Sequence, residues 1–208
     1  MNSQALLADL RRMLPALEDD LRGQSGAIQG VLEAQWRQAR DQQRTGEAFE
    51  TWRDAWVTQV AVAWLLSLVF VRYLEDQGFV APRLAGVGAA EDAADEARQG
   101  FIRAFPTLSD ADWLRHVLDE LAALPGAQVL FGPHNLVRAL APSGDMGKTL
   151  LRFFQRRGAD GTGLAHVFDD ADTRFLGDLY QDLSEDARKR YALLQTPDFV
   201  EEFILDRT

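Results

Sequence analysis

The chain contains no cysteine, which excludes a disulfide framework and any thiolate metal site and suits a reducing compartment such as the cytoplasm. It also lacks a hydrophobic run of membrane-spanning length. The longest, "VAVAWLLSLVFV", covers Val60 to Val71, twelve residues with Ser67 among them, whereas a spanning helix needs about 20. Arg53, Asp54, Arg72, Glu75 and Asp76 flank it closely, so it reads as the buried central helix of a protein with no membrane part. The opening "MNSQALLADLRRMLPALEDDL" has acidic residues and no apolar core of signal-peptide type, which argues against secretion. Basic charge is scarce as well: Lys and Arg number 22 against 32 Asp and Glu, a formal net charge of -10. The chain as a whole would be repelled by a phosphate backbone. Contact with nucleic acid therefore requires a local patch or another part of a larger protein.

Catalytic and ligand-binding patterns are missing too. His116, His134 and His166 lie in separate segments and none belongs to a metal-ligand spacing, so no metal site is expected. No G-x-S-x-G elbow occurs. Gly147, Lys148 and Thr149 match the end of a phosphate-binding loop, but Pro142 stands where that loop needs its first glycine, and the preceding "NLVRAL" reads as helix rather than strand. The plainer reading is a helix capped near Ser143 and Asp145 that carries Leu150, Leu151, Phe153 and Phe154. The cluster Asp169, Asp170 and Asp172 reads as a solvated helix start.

What is there is helical spacing. From Gln4 to Leu21, Leu6, Leu7, Leu10, Leu14 and Leu17 recur every three or four positions. A polar helix over Gln24 to Gln43 has one narrow stripe through Ile28, Leu32 and Trp36 and is expected on the outside. A long helix from Glu47 to Gln77 carries Phe49, Trp52, Trp56, Val60 and Trp64 along one side, becomes apolar all round, and stops near Gly78. A loop with Pro82, Gly86 and Gly88 leads to an acidic helix, and Ser109 caps another that ends at Pro125-Gly126. Ala127 to Phe131 reads as connecting coil, with short helices around Asn135 to Leu140 and Asp145 to Arg157. The glycines between Gly158 and Gly163 mark the best boundary. The expectation is an all-α fold: a helical domain over 1–157, a linker over 158–170, and a helical connector over 171–208 with helices near Asp172 to Asp182, Glu185 to Leu194 and Pro197 to Leu205.

Two features carry chemistry. Lys148, Arg152 and Arg156 recur at four-residue spacing, hence on one helix face, and form a candidate DNA-backbone contact in an otherwise acidic chain, alongside Arg138 and Arg157. Its bland alternative is a solvent face paired with neighbouring acids. The second is "TPDFVEEFIL": Thr196 as cap, Pro197 at the first helical position, Asp198 at the positive end, then Phe199, Val200, Phe203 and Ile204 as the apolar face. Free N–H groups at such a start attract a carboxylate.

Read together, "RFLGDLYQDLSEDARKRYALLQTPDFVEEFILDRT", "TQVAVAWLLSLVFVRYLEDQG" and "LAPSGDMGKTLLRFF" resemble the N-terminal part of the PglX adenine-specific DNA methyltransferases of type 2 BREX phage-defence systems. The resemblance implies that Thr196 and Pro197 match the Thr-Pro turn lying against the methionine end of S-adenosylmethionine, with Thr196 on its carboxylate and Phe199 and Val200 seating the helix. Gln195 stands where Tyr or Phe is usual, and the glycine a few residues earlier is absent. The family's glycine-rich cofactor turn and its N-P-P-Y-type loop, which holds the flipped adenine, do not occur in these 208 residues. The expectation is thus a non-catalytic N-terminal piece of a larger enzyme, with DNA and other phage-defence proteins as partners. Two rivals remain: a stand-alone helical adaptor binding protein through a surface near Trp52 and Trp56, and a weaker one, an acidic DNA mimic.

Overall fold

Apolar residues spaced for helices have to bury one face each, and the chain does so around its most apolar segment. A computed structural model describes residues 3–159, 161–168, 175 and 177–183. Through them run α1 (Ser3–Gln24), α2 (Gln29–Asp41), α3 (Phe49–Asp76), α4 (Ala89–Ala104), α5 (Asp110–Ala122), α6 (Gln128–Phe131) and α7 (Gly144–Gln155). Residues 175 and 177–183 are helical too. Among the described residues there is no strand, only an isolated antiparallel bridge between Arg157 and Leu164, so the class is all-α.

The central element is α3. By length and hydropathy it could cross a membrane, yet 78% of its most apolar window is buried inside the fold, so it is a core helix. Every residue from Val60 to Val69 is buried, so all sides of the helix are covered. Each large side chain removed from water stabilises by roughly 1.5–3 kcal/mol, and this explains why an apolar circumference needs neighbours on every side. At its C-terminal end Gly78 adopts φ 73°, Gly78 N–H donates to Glu75 O at 3.0 Å, and Phe79 N–H donates to Leu74 O at 2.9 Å. That is a Schellman ending, for which a residue free of Cβ is favoured at the left-handed position.

Helix α1 lies against α3 with Leu6, Leu10, Leu14, Leu17 and Leu21 buried, and Thr58 Oγ1 donates to Glu18 Oε1 across the pair at 2.8 Å. The single helix read over 24–43 is divided, because a 3-10 turn at Ser25–Ile28 precedes α2. Gly23 precedes that break and Gly26 lies within it, and glycine weakens helix continuity there. α2 buries only Leu32 and Ala39, while Trp36 is held by its Nε1–H to Glu47 O and by the edge of the Phe49 ring. α5 starts on a capping box, Ser109 with Asp112, and the N–H of Ser109, ahead of an opposing burial effect, holds the Asp112 carboxyl below its usual range.

Two local readings change. Ala127 to Phe131, read as coil, contains the one-turn helix α6, since the buried Phe131 ring pulls the segment against the core. The expected helix around Asn135 to Leu140 shortens to a 3-10 turn at Leu136–Arg138. Asn135 starts it: its Oδ1 accepts from Val137 N–H, and its Nδ2 donates to Ser67 Oγ and Leu130 O. Side-chain bonding of this kind competes with longer helix. Trp64 Nε1–H then reaches Leu140 O at 2.9 Å, tying the turn to α3.

Within the stretch read as a linker, Leu164, His166 and Phe168 are buried, and Phe175, Leu179 and Leu183 belong to the same apolar core. The readings at Glu185 to Leu194 and Pro197 to Leu205, with Thr196, Pro197, Phe199 and Val200, lie outside the described residues.

Candidate functional site

α7 carries the basic residues singled out in the sequence, and its placement begins with its cap. Ser143 Oγ accepts from Met146 N–H at 3.2 Å, while Ser143 N–H and Oγ–H both donate to the Asp20 carboxylate of α1. At Gly147 the helix comes so close to α5 that a Cβ would run into the backbone nitrogen of Ala111. The glycine of the "GKT" triplet is therefore a packing residue. The segment ahead of α7 is a 3-10 turn and not a strand, and Thr149 Oγ1 donates back to Asp145 O at 2.9 Å, so these residues make no phosphate loop.

Leu150, Leu151, Phe153 and Phe154 face the core, leaving Lys148, Thr149 and Arg152 on the solvent side. No ion pair joins Lys148 or Arg152 to another described residue. Arg156 differs. It is the residue at which α7 ends, with φ -59° and ψ 131°, and its guanidinium turns to Asp9 of α1 and sits 5.7 Å from the Phe153 ring. The other two cations of the group are also engaged: Arg138 with Asp119 and the carbonyls of Leu118 and Phe131, Arg157 with Glu91. Among the described residues, the members of this basic group without an ion-pair partner are thus Lys148 and Arg152.

Asp9 is the centre of a cluster that the sequence reading missed. Its Oδ2 meets Arg156 and lies 2.9 Å from His166 Nε2, and its Oδ1 accepts from Arg12 at 2.5 Å. Burial raises the Asp9 pKa, but the hydrogen bonds from Arg156 and His166 and the charges of Arg156 and Arg12 outweigh this and leave it below the ordinary carboxylate range. His166, 5% exposed and stacked on Phe153, is lowered chiefly by burial and also by the Arg156 charge, against the pull of Asp9. Asp9 and His166 are 157 positions apart, and nothing in their local sequences marks them as partners.

A second cluster sits at the C-terminal end of α3. Arg72, 1% exposed, is held by Glu75, by Asp76 and by Ala85 O, while its Nε has no acceptor among the described residues. Glu75 Oε1 accepts from the N–H groups of Arg83 and Leu84 at 2.8 and 2.9 Å. Burial pushes the Glu75 carboxyl up, opposed by Arg72 and those N–H groups. The i, i+3 and i, i+4 spacing of Arg72, Glu75 and Asp76 was the signal available in the sequence.

An open cleft of about 380 Å³ between α4 and the start of α5 is lined by Arg98, Ile102, Arg103, Leu108 and Asp110, but Arg98 is already bound to Asp110 at 2.5 Å. Trp52 and Trp56 are both partly buried. Among the described residues no group of His, Asp or Glu is placed to hold a metal ion.

The chain is similar over its whole length to the adenine-specific methyltransferase PglX of Streptomyces coelicolor, 43% identical across 223 aligned residues. It spans 18% of that protein's length. No family model matches the chain, and no solved structure matches it. The likeness supports a PglX-like N-terminal region.

Proposed function

We propose that this PglX-like region is the non-catalytic N-terminal part of a phage-defence DNA adenine methyltransferase that works in the cytoplasm with S-adenosylmethionine. The observation that carries the reading is 43% identity running the whole length of the chain to an adenine-specific methyltransferase. Because the chain has neither a glycine-rich cofactor turn nor an N-P-P-Y-type loop, methyl transfer itself belongs to the rest of the protein. The helical body supports that catalytic part. Its partners are DNA, met through Lys148 and Arg152, and other proteins of the BREX defence system.

In the same reading Thr196 and Pro197 open a helix whose free N–H groups and threonine oxygen receive the cofactor's carboxylate, with Phe199 and Val200 seating it. The full-length protein carrying Thr196→Ala is expected to bind S-adenosylmethionine roughly tenfold more weakly, the effect of losing one hydrogen bond to a charged group. Titration calorimetry measures this directly. Unchanged affinity would remove Thr196 from the cofactor site, and an intact full-length protein with no affinity for the cofactor would overturn the methyltransferase reading.

A further inference from the structure

Two arginines from different parts of the chain converge on one carboxylate. Asp9, whose side chain is only 10% exposed, accepts from Arg12 of α1 through Oδ1 and from Arg156 at the end of α7 through Oδ2. Both guanidiniums stay open to water, with 75% of the Arg12 side chain and 47% of the Arg156 side chain exposed. A guanidinium has five N–H donors. Arg12 uses Nη2 on Asp9 and Nε on Ala8 O, and Arg156 uses Nη2 on Asp9 beside the His166 ring nitrogen, while neither Nη1 donates to a described residue. One shielded negative charge therefore holds two exposed positive ones, and the three side chains together present a surplus positive charge in a chain of net charge -10. The placement of α1 relative to α7 gives that surplus a direction. Asp20 of α1 holds Ser143 at the start of α7 and Asp9 holds Arg156 at its end, so the two helices run antiparallel. Arg12, one turn along α1 from Asp9, stands on the stretch that runs beside the second half of α7, where Arg152 faces solvent. The acids Asp20 and Asp145 belong to the opposite end.

We propose that Arg12 and Arg156, clamped by Asp9, form a paired phosphate contact that carries the Lys148 and Arg152 face across from α7 onto α1, and that its ligand is the backbone of duplex DNA. The proposal rests on the reading of DNA as a partner met through α7. Charge complementarity selects the ligand, because the planar fork of a guanidinium matches two phosphate oxygens at once. Tethering by Asp9 lowers the freedom that each arginine loses on binding. A purely structural role accounts for less of the arrangement. An exposed ion pair adds little stability, and one cation already neutralises Asp9, so a second exposed arginine on the same carboxylate brings the fold almost nothing. Lys148, Arg152 and Arg156 span two helical turns, about 12 Å at 1.5 Å per residue, and Arg12 widens that line into a surface formed by two helices.

Arg12→Gln in the full-length protein is the discriminating variant, read by binding isotherms on a short DNA duplex at several salt concentrations. It is expected to weaken binding several-fold at about 0.1 M salt and to shrink the logarithmic salt slope by about 1. Arg37→Gln is the matched control, since Arg37 is 66% exposed and paired within α2 to Glu33 at 2.9 Å, and its loss removes the same charge from the same kind of setting elsewhere. That control is expected to leave the slope unaltered. Arg12→Lys, which keeps the charge but not the fork, is expected to restore the slope and only part of the affinity. Equal effects of Arg12→Gln and Arg37→Gln overturn the contact, as does a lowered melting temperature with an unaltered slope, which would assign Arg12 to the fold. If reversal of Lys148 and Arg152 to Glu shrinks the slope while Arg12→Gln does not, the paired contact falls and the α7 reading stands. If only Arg12→Gln shrinks it, the paired contact stands and the α7 reading falls; if neither does, both fall.

Discussion

Burial disfavours the charged form of His166, and the pH dependence of folding follows from that. Its pKa is lowered from 6.5 by burial first, with the Arg156 charge acting the same way and Asp9 opposing both. A histidine whose folded pKa is depressed contributes stability that is fully present above its unfolded value and is lost as pH falls toward the folded one. Asp9, lowered from 3.8, adds a further loss only at more acidic pH. The charged groups facing His166 are Asp9 and Arg156, with Arg12 reaching Asp9 from α1. Stability of the natural chain is therefore expected to decline as pH drops below 6.5, and His166→Gln, which keeps a hydrogen-bonding side chain without a titration, is expected to flatten that decline. Urea denaturation of both proteins at several pH values checks it; parallel curves would contradict the assignment. None of this was visible from the histidine's own neighbourhood, since its partner is at the other end of the chain.

At the scale of the element, α7 shows how a helical pattern can be right while its surface is redistributed. The apolar positions Leu150, Leu151, Phe153 and Phe154 were legible from spacing alone and are buried. The stripe Lys148, Arg152 and Arg156 was read as one face, but the helix ends at Gln155 and Arg156 bends away to Asp9. Among the described residues, the first two cations of that stripe have no ion-pair partner. With Lys148 and Arg152 both reversed to Glu, DNA affinity of the full-length protein is expected to fall and the logarithmic salt slope to shrink by roughly 1 for each cation lost. Binding isotherms at several salt concentrations measure both quantities. An unaltered slope would return α7 to the role of a solvent-facing support. Reversal of Arg156 would be uninformative, because it would place a carboxylate against Asp9.

For the whole molecule, the Arg72 cluster is the polar counterpart of the apolar core. Arg72→Ala removes the cation beside Glu75 and frees Asp76 from its partner, leaving buried acid uncompensated. Breaking a buried pair in this way costs about 3–5 kcal/mol, against a total of about 5–15 kcal/mol for an ordinary domain. Chemical denaturation is expected to show such a loss, with the segments around Leu84 and Phe168 released first, since both are fastened to this helix end. A loss below about 1 kcal/mol, typical of an exposed pair, would mean that the cluster is not a structural centre.

The sequence by itself determined the long helices α1, α3, α5 and α7, the burial of α3 and the likeness to PglX, because helical periodicity and capping are local consequences of backbone geometry that a reader can count along the chain. It placed α1, α3, α5 and α7 within a few residues of their observed bounds. Tertiary structure alone decided which cations stay free, which histidine is buried, and where the chain is anchored after α7. Those outcomes depend on partners such as Asp9 with Arg156 and His166, or Asp76 with Phe168, which are separated by 147, 157 and 92 positions. Only packing of α1, α3 and α7 around one core brings such residues within hydrogen-bonding distance.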